Sequence, residues 1–303
     1  MDKETTSILS PYNEEEKRIL INTDCKNSFY SLYHETPPRS KHWCHSHCLL
    51  GGGFYKNFFS MALFFFPTVL YCISTIPSFY RVYPMLIVPF LLLFIIVCIF
   101  YFKTCYSNPG IIPRKYRIGN GNYELNNSKI NVILPDNIVA SRKFCITCLI
   151  NKPLRCSHCR ICNNCVEEFD HHCPWLGNCI GRRNYKSYIG IVFFCSVYLF
   201  YLIITSFISL FIGIQYPLTW TSFFDSWKSH WFVEPLTCIY CVPCFGLVFT
   251  LLLFHIYQIS RGITTNERIK KRYIYNQGFI KNWIKFLFRP IPPIYPLFKN
   301  IFK

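Results

Sequence analysis

Four stretches of this chain, Phe58–Tyr80, Val82–Phe102, Ile189–Gly213 and Thr237–Tyr257, contain no Asp, Glu, Lys or Arg. About 20 apolar helical residues cross the hydrocarbon core of a bilayer. A buried helix of a soluble domain rarely runs that far without a charge on any face. The pattern predicts an α-helical polytopic membrane protein with four transmembrane helices.

Charge supplies the orientation. Of 32 Lys and Arg, 30 fall in residues 1–57, 103–188 and 258–303; the two short connections carry only Arg81 and Lys228. Basic residues concentrate on the cytosolic side of membrane spans, so both termini and the large central loop are expected in the cytosol. A net charge of +17 would otherwise invite a nucleic-acid reading. Here topology accounts for it, together with attraction to anionic lipids of the cytosolic leaflet, so the bilayer is the expected partner and nucleic acid is not.

The chain then divides into a cytosolic tail (1–57), two spans (58–102), a cytosolic loop (103–188), two further spans (189–257) and a basic cytosolic tail (258–303). The tail stretch HWCHSHC, residues 42–48, suits metal binding or, as a juxtamembrane segment, S-acylation. Between spans three and four, residues 214–236 carry three Trp and suit a lumenal loop or an interfacial segment. Within the central loop, residues 107–129 are rich in Gly, Asn and Pro, as in turns leaving a membrane.

A cysteine-rich segment follows, at about 143–188. Between Cys145 and Cys179, 35 residues hold eight Cys and three His. On a reducing cytosolic face such a cluster is metal-binding or catalytic rather than bridged. Cys-x2-Cys spacing lets two thiolates of one turn face one metal, and structural zinc takes four ligands. Two sites of three cysteines and one histidine would use eight of the eleven candidates. Spacing leaves the pairing open, since Cys162 suits either Cys159 or Cys165. The segment has no helical or strand periodicity, as expected of a module held by metal rather than by an apolar core.

The segment resembles the zinc-binding DHHC domain of protein S-acyltransferases (palmitoyltransferases). The resemblance rests on Cys145, Cys148, Lys152-Pro153, Arg155, His158-Cys159, Cys162, Cys165, Asp170-His171-His172-Cys173, Trp175, Asn178-Cys179, Gly181 and Asn184. Thr264-Thr265-Asn266-Glu267 is similar to the family's TTxE motif. Tyr275-Asn276-x-Gly278 with Asn282-Trp283 is similar to its C-terminal motif. Asn108-Pro109-Gly110 stands where the family has Asp-Pro-Gly; Asn keeps the turn chemistry.

This resemblance implies two structural zinc ions, one on Cys145, Cys148, His158 and Cys165, the other on Cys159, Cys162, His172 and Cys179. It leaves Cys156 as a passive thiol. Asp170, His171 and Cys173 are then the catalytic group, with Cys173 the nucleophile toward a long-chain acyl-CoA and cysteine thiols of membrane-associated proteins the acceptors. Arg182, Arg183 and Lys186 suit either CoA phosphates or the basic membrane rim. Thr264 and Thr265 are expected to buttress Asp170–His171, Tyr198 to suit a limit on acyl length, and Cys105 to suit self-acylation. A Golgi, ER or other endomembrane is the expected location. The alternative is a non-catalytic zinc-scaffolded membrane adaptor. A zinc hydrolase would need an open metal site with a Glu base, and the sequence has no H-E-x-x-H; a RING-type ligase would need a ligand spacing that this loop does not follow.

Overall fold

A computed structural model describes residues 39–43, 48–53, 55–114, 130–133, 139–212, 221 and 233–293. The expected lumenal loop, 214–236, lies mostly outside them, as do residues 44–47 of HWCHSHC. The chain forms two compact units, one of residues Tyr55–Thr104 and Lys186–Arg261, the other of Met1–Phe54, Cys105–Tyr185 and Gly262–Lys303.

The first unit is built from four helices, α1 (Lys56–Val82), α2 (Ile87–Tyr106), α3 (Tyr185–Ile212) and α4 (Val233–Arg261). All four are long and apolar enough to cross a membrane. The first and fourth run a few residues past their apolar stretches at both ends, because helical hydrogen bonding continues into the polar flanks. Helix α2 starts inside its stretch, at Ile87, after a single tight turn at Pro84–Leu86, and α3 stops at Ile212, one residue short of Gly213. Tyr71, Phe90, Val97, Tyr198, Leu199, Leu202 and Cys241 form the core. The outward faces carry Leu92, Ile95, Phe200, Ile239 and Leu247, all exposed. An exterior that apolar suits lipid rather than water.

Hydroxyl groups inside the unit are satisfied without water. Thr68, Ser74, Ser196 and Thr205 each donate to the carbonyl four residues earlier, at 2.6–3.2 Å, as backbone and side chains must in hydrocarbon. Tyr198 is fully buried, its hydroxyl 2.9 Å from Thr68 Oγ1.

The second unit is built of short antiparallel hairpins. Strand β1 (Lys41–Trp43) pairs with β2 (Cys48–Leu50), and β4 (Ile130–Ile133) with β5 (Val139–Arg142). Three hairpins then follow in the cysteine-rich segment: β6 (Phe144–Cys145) with β7 (Ile150–Asn151), β8 (Ser157–Cys159) with β9 (Asn164–Val166), and β10 (His171–Cys173) with β11 (Asn178–Ile180). Strand β3 (Ile111–Ile112) adds to β9. Helices α5 (Thr265–Ile269) and α6 (Phe279–Phe288) complete it. Strands of two or three residues cannot show a period of two, so the sequence concealed them.

Asn108 holds the turn into β3: its Oδ1 accepts from the Gly110 and Ile111 amides at 2.8 and 2.9 Å. Gly110 sits at φ +106°, a region that only glycine enters freely. The Asn-for-Asp difference therefore leaves the turn intact. Cys105, expected as an acylation site, is buried, which corrects that expectation: a thiol packed this tightly is shielded from an acyl donor.

Candidate active site and metal clusters

All eight expected ligands come together as two groups, Cys145–Cys148–His158–Cys165 and Cys159–Cys162–His172–Cys179, with the ligand atoms of each within 4.8 Å of one another. Strand geometry explains the pairing that spacing left open. Successive strand residues point to opposite faces, so His158 and Cys159 of β8 serve different groups. His158 lies opposite Cys165 in the β8–β9 ladder, and His172 lies opposite Cys179 in β10–β11. Each group thus combines the Cys-x2-Cys turn of one hairpin with the His/Cys cross-strand pair of the next.

The two groups repeat each other. Cys145 and Cys159, Cys148 and Cys162, His158 and His172, and Cys165 and Cys179 are each 14 residues apart. The backbone follows the same interval: Leu149, Asn163 and Gly177, the turn residues of the three hairpins, all have positive φ. This register was present in the sequence and is the signal that would have fixed the ligand sets.

Donor chemistry and spacing fit zinc. A tetrahedron with Zn–S arms of about 2.3 Å and Zn–N arms of about 2.05 Å has S···N edges of roughly 3.6 Å. From His158 Nδ1 to the thiols of Cys145, Cys148 and Cys165 the distances are 3.6, 3.4 and 3.8 Å. From His172 Nδ1 to Cys159, Cys162 and Cys179 they are 3.8, 3.4 and 3.6 Å. Protons are in conflict at such separations: hydrogen bonding from Cys148 pulls the Cys145 thiol down, while Cys145 pushes Cys148 up. A bound cation removes the conflict, because a coordinating thiol is deprotonated outright. Either group can hold a metal ion. Cys156 belongs to neither and packs beside the first.

On β10, alternation sends His172 toward the second group and leaves His171 and Cys173 on the other face. His171 Nδ1 is 2.7 Å from Asp170 Oδ2. Asp170 is buried, its Oδ1 accepting from the Thr265 amide at 2.8 Å and its Oδ2 from the Thr265 hydroxyl at 2.7 Å. Burial disfavours a charged His171, but hydrogen bonds to Asp170 and Cys173 outweigh it and push the imidazole up to about 9. Asp170, His171 and Cys173 are therefore brought together, with Thr265 holding the carboxylate directly. Thr264 acts one step removed: it caps α5, its hydroxyl accepting from the Glu267 amide while Glu267 returns a bond to the Thr264 amide.

Sequence reasoning missed what else Glu267 does. Its carboxylate takes Arg155 Nε and Nη2 in two parallel bonds of 2.7 Å, and Arg155 also stacks 4.8 Å from the Tyr275 ring. The pair, with Glu267 buried and Arg155 largely so, ties the cysteine-rich hairpins to the segment that presents Thr265. Nothing in linear spacing joins residues this far apart.

The three basic candidates separate. Arg182 is ion-paired with Glu167. Arg183 lies with its stem over Gly110, and its Nε and Nη1 are buried without a hydrogen-bond partner among the described residues. Lys186 falls in the other unit, one residue into α3.

Four membrane-length helices, with a metal-clustered cysteine-rich unit entered between the second and third, define a multi-pass membrane protein of a recognisable class. A family model described as DHHC palmitoyltransferase matches residues 138–272. The chain is 30% identical to Probable protein S-acyltransferase 2 of Arabidopsis thaliana over 86% of its own length and 68% of that protein's. It is 30% identical to Palmitoyltransferase ZDHHC18 of Rattus norvegicus over 85% and 72% of the two chains. Against Probable protein S-acyltransferase 3 of Arabidopsis thaliana, identity is 34% over 64% of this chain and 51% of the other. The chain belongs to the DHHC palmitoyltransferase family. It is an acyltransferase that moves palmitoyl groups to proteins, and the adaptor reading is not favoured.

Proposed function

We propose that Cys173 carries the acyl group as a thioester between a long-chain acyl-CoA and cysteine thiols of membrane-associated proteins. The observation that carries this reading is the Asp170–His171–Cys173 arrangement, with Thr265 bracing the carboxylate. A thiolate attacks an acyl carbon, and a positioned imidazole serves its proton traffic. The Cys173 sulfur forms a bond to the acyl carbon while the bond to the CoA sulfur breaks, and His171 returns a proton to the departing CoA. The acceptor thiol then gives its proton to His171 and takes the acyl group from Cys173. One thioester replaces another at each step, so no energy source is consumed.

The eight clustered ligands are assigned to two structural zinc ions: Cys145, Cys148, His158 and Cys165 for one, Cys159, Cys162, His172 and Cys179 for the other. Closed four-ligand sites supply folding constraint and no open position for water. Arg183 is the best placed of the basic candidates for a CoA phosphate, because its guanidinium Nε and Nη1 have no partner among the described residues; Arg182 and Lys186 remain candidates by their charge alone. Basic-residue distribution supports a cytosolic loop and cytosolic termini, in an endomembrane such as Golgi or ER. The segment boundaries at 57, 102, 188 and 257 are part of the same proposal.

The test is incubation of the purified full chain with a labelled palmitoyl-CoA analogue and no acceptor. One hydroxylamine-sensitive label per chain, with matching release of CoA, is expected; a folded, metal-loaded protein that takes no label overturns the reading.

Acyl length follows from Tyr198. Its hydroxyl is anchored to Thr68 deep in the helical unit, a fixed stop for a chain lying among the helices. Tyr198→Ala is expected to move preference to longer chains. Each added CH₂ buried is worth about 0.8 kcal/mol, so two give roughly tenfold. Competition between acyl-CoAs of increasing length reads this, and an unchanged length profile counts against it.

A further inference from the structure

We propose that residues 39–43 and 48–53, ahead of the first helix, are a strap that positions the second metal cluster and the hairpin bearing Cys173. No motif carried by the family resemblance reaches this segment, which lies before its first residue. The proposal rests on the reading that the cluster binds zinc and Cys173 is acylated.

Four contacts carry it. The Gly52 amide donates to Cys162 Sγ at 3.3 Å, a hydrogen bond to a ligand atom itself. The Arg39 amide donates to the Cys162 carbonyl at 2.9 Å. Leu49, 1% exposed, is buried in one cluster with Cys159, Cys162, Cys179, Ile111 and Val166. The Ser40 hydroxyl accepts from Asn164 Nδ2 at 2.5 Å. The strap therefore covers the face of the cluster formed by the Cys159-x2-Cys162 turn.

The glycines show how close the approach is. A Cβ on Gly51 would stand 2.0 Å from the Gly177 carbonyl oxygen and 2.8 Å from Asn178 Cα. One on Gly52 would stand 2.5 Å from the Ile161 carbonyl oxygen, and one on Gly53 3.3 Å from His172 Nε2. At 51 and 52 the obstacle is backbone, which cannot swing aside. Gly177 closes the turn that follows Cys173, and Asn178 opens β11 as the cross-strand partner of Cys173. Three consecutive glycines thus let the strap's backbone press on both the turn that feeds the cluster and the hairpin that presents the nucleophile. Outer hydrogen bonds of this kind fix ligand orientation, and losing one costs about 10- to 100-fold in metal affinity.

The test uses the full chain in detergent, loaded with zinc and challenged with a chelating metallochromic indicator. Gly52→Ala and Leu49→Ala are compared with Gly246→Ala, a position where a Cβ meets nothing within 4 Å. Expected is roughly tenfold faster release of one of two zinc equivalents from the strap variants, the other equivalent and the Gly246→Ala protein matching wild type. Acyl-label formation falls in step with the labile equivalent, and Leu49→Met restores both. In cobalt-loaded protein, the sulfur-to-cobalt charge-transfer band of one site shifts in Gly52→Ala. Strap variants that release zinc and take label like wild type overturn the strap alone. Release of both equivalents together, marking collapse of the unit, also overturns it. A wild type without two metal equivalents, or without label, overturns the underlying reading and the strap with it.

Discussion

Cys173→Ser is expected to lose the acyl-enzyme entirely, with label formation falling on the order of 10³-fold or more, while both zinc equivalents stay bound. A serine hydroxyl is a far weaker nucleophile than a thiol near its own pKa. The zinc content should be untouched because Cys173 stands on the opposite face of β10 from His172 and contributes to neither cluster. Label with intact zinc in Cys173→Ser would remove the nucleophile assignment. Loss of zinc in that variant would show instead that strand alternation fails to separate scaffold from chemistry. Measuring zinc and label on the same sample keeps the two readings distinct.

Cys179→Ser is the second large effect, and its order of loss is reversed. Cys179 is the cross-strand partner of His172 in the hairpin that carries His171 and Cys173. Its loss opens the second cluster, and binding free energy at a structural site is also folding free energy, about 10–16 kcal/mol for small zinc modules. Zinc content should fall from two equivalents to one, and acyl label to background, although the substituted residue touches no substrate. Cys156→Ser, outside both clusters, should keep full zinc and label. The pair of variants separates a metal scaffold from a merely cysteine-rich surface; Cys179→Ser with two equivalents and normal label would refute the scaffold.

Much of this was legible in the amino-acid sequence because the chemistry is expensive to disguise. Four charge-free stretches have few uses outside a bilayer, and eight cysteines with three histidines in one loop have few uses besides metal. The family motif named Asp170, His171, Cys173 and the eight ligands, and the structure brings them together as three groups. What stayed hidden has a physical reason in each case. The hairpins β6 to β11 have strands of two or three residues, too short for alternation to show. Arg155 meets Glu267 across 112 positions of chain, and such a pair leaves no local trace. Gly51 to Gly53 fall in the tail 1–57, where no sequence motif marks them, yet Gly51 and Gly52 closely approach Gly177 and Ile161. The 14-residue register lies open in the sequence but shows only when the ligands are compared at a fixed offset, because Cys-x2-Cys pairs taken alone do not display it.

That register reaches one step further than the metal does. Counting on from Cys145 and Cys159, the next position is Cys173; from Cys148 and Cys162 it is Leu176, and from the two histidines it is Lys186. Gly177 still makes the turn that Leu149 and Asn163 make. The third round has thus kept the bend and its leading cysteine but lost the partners that would trap a cation. On the acyl-carrier proposal, a sulfur held like a ligand, with nothing to ligate, is left to bond carbon instead.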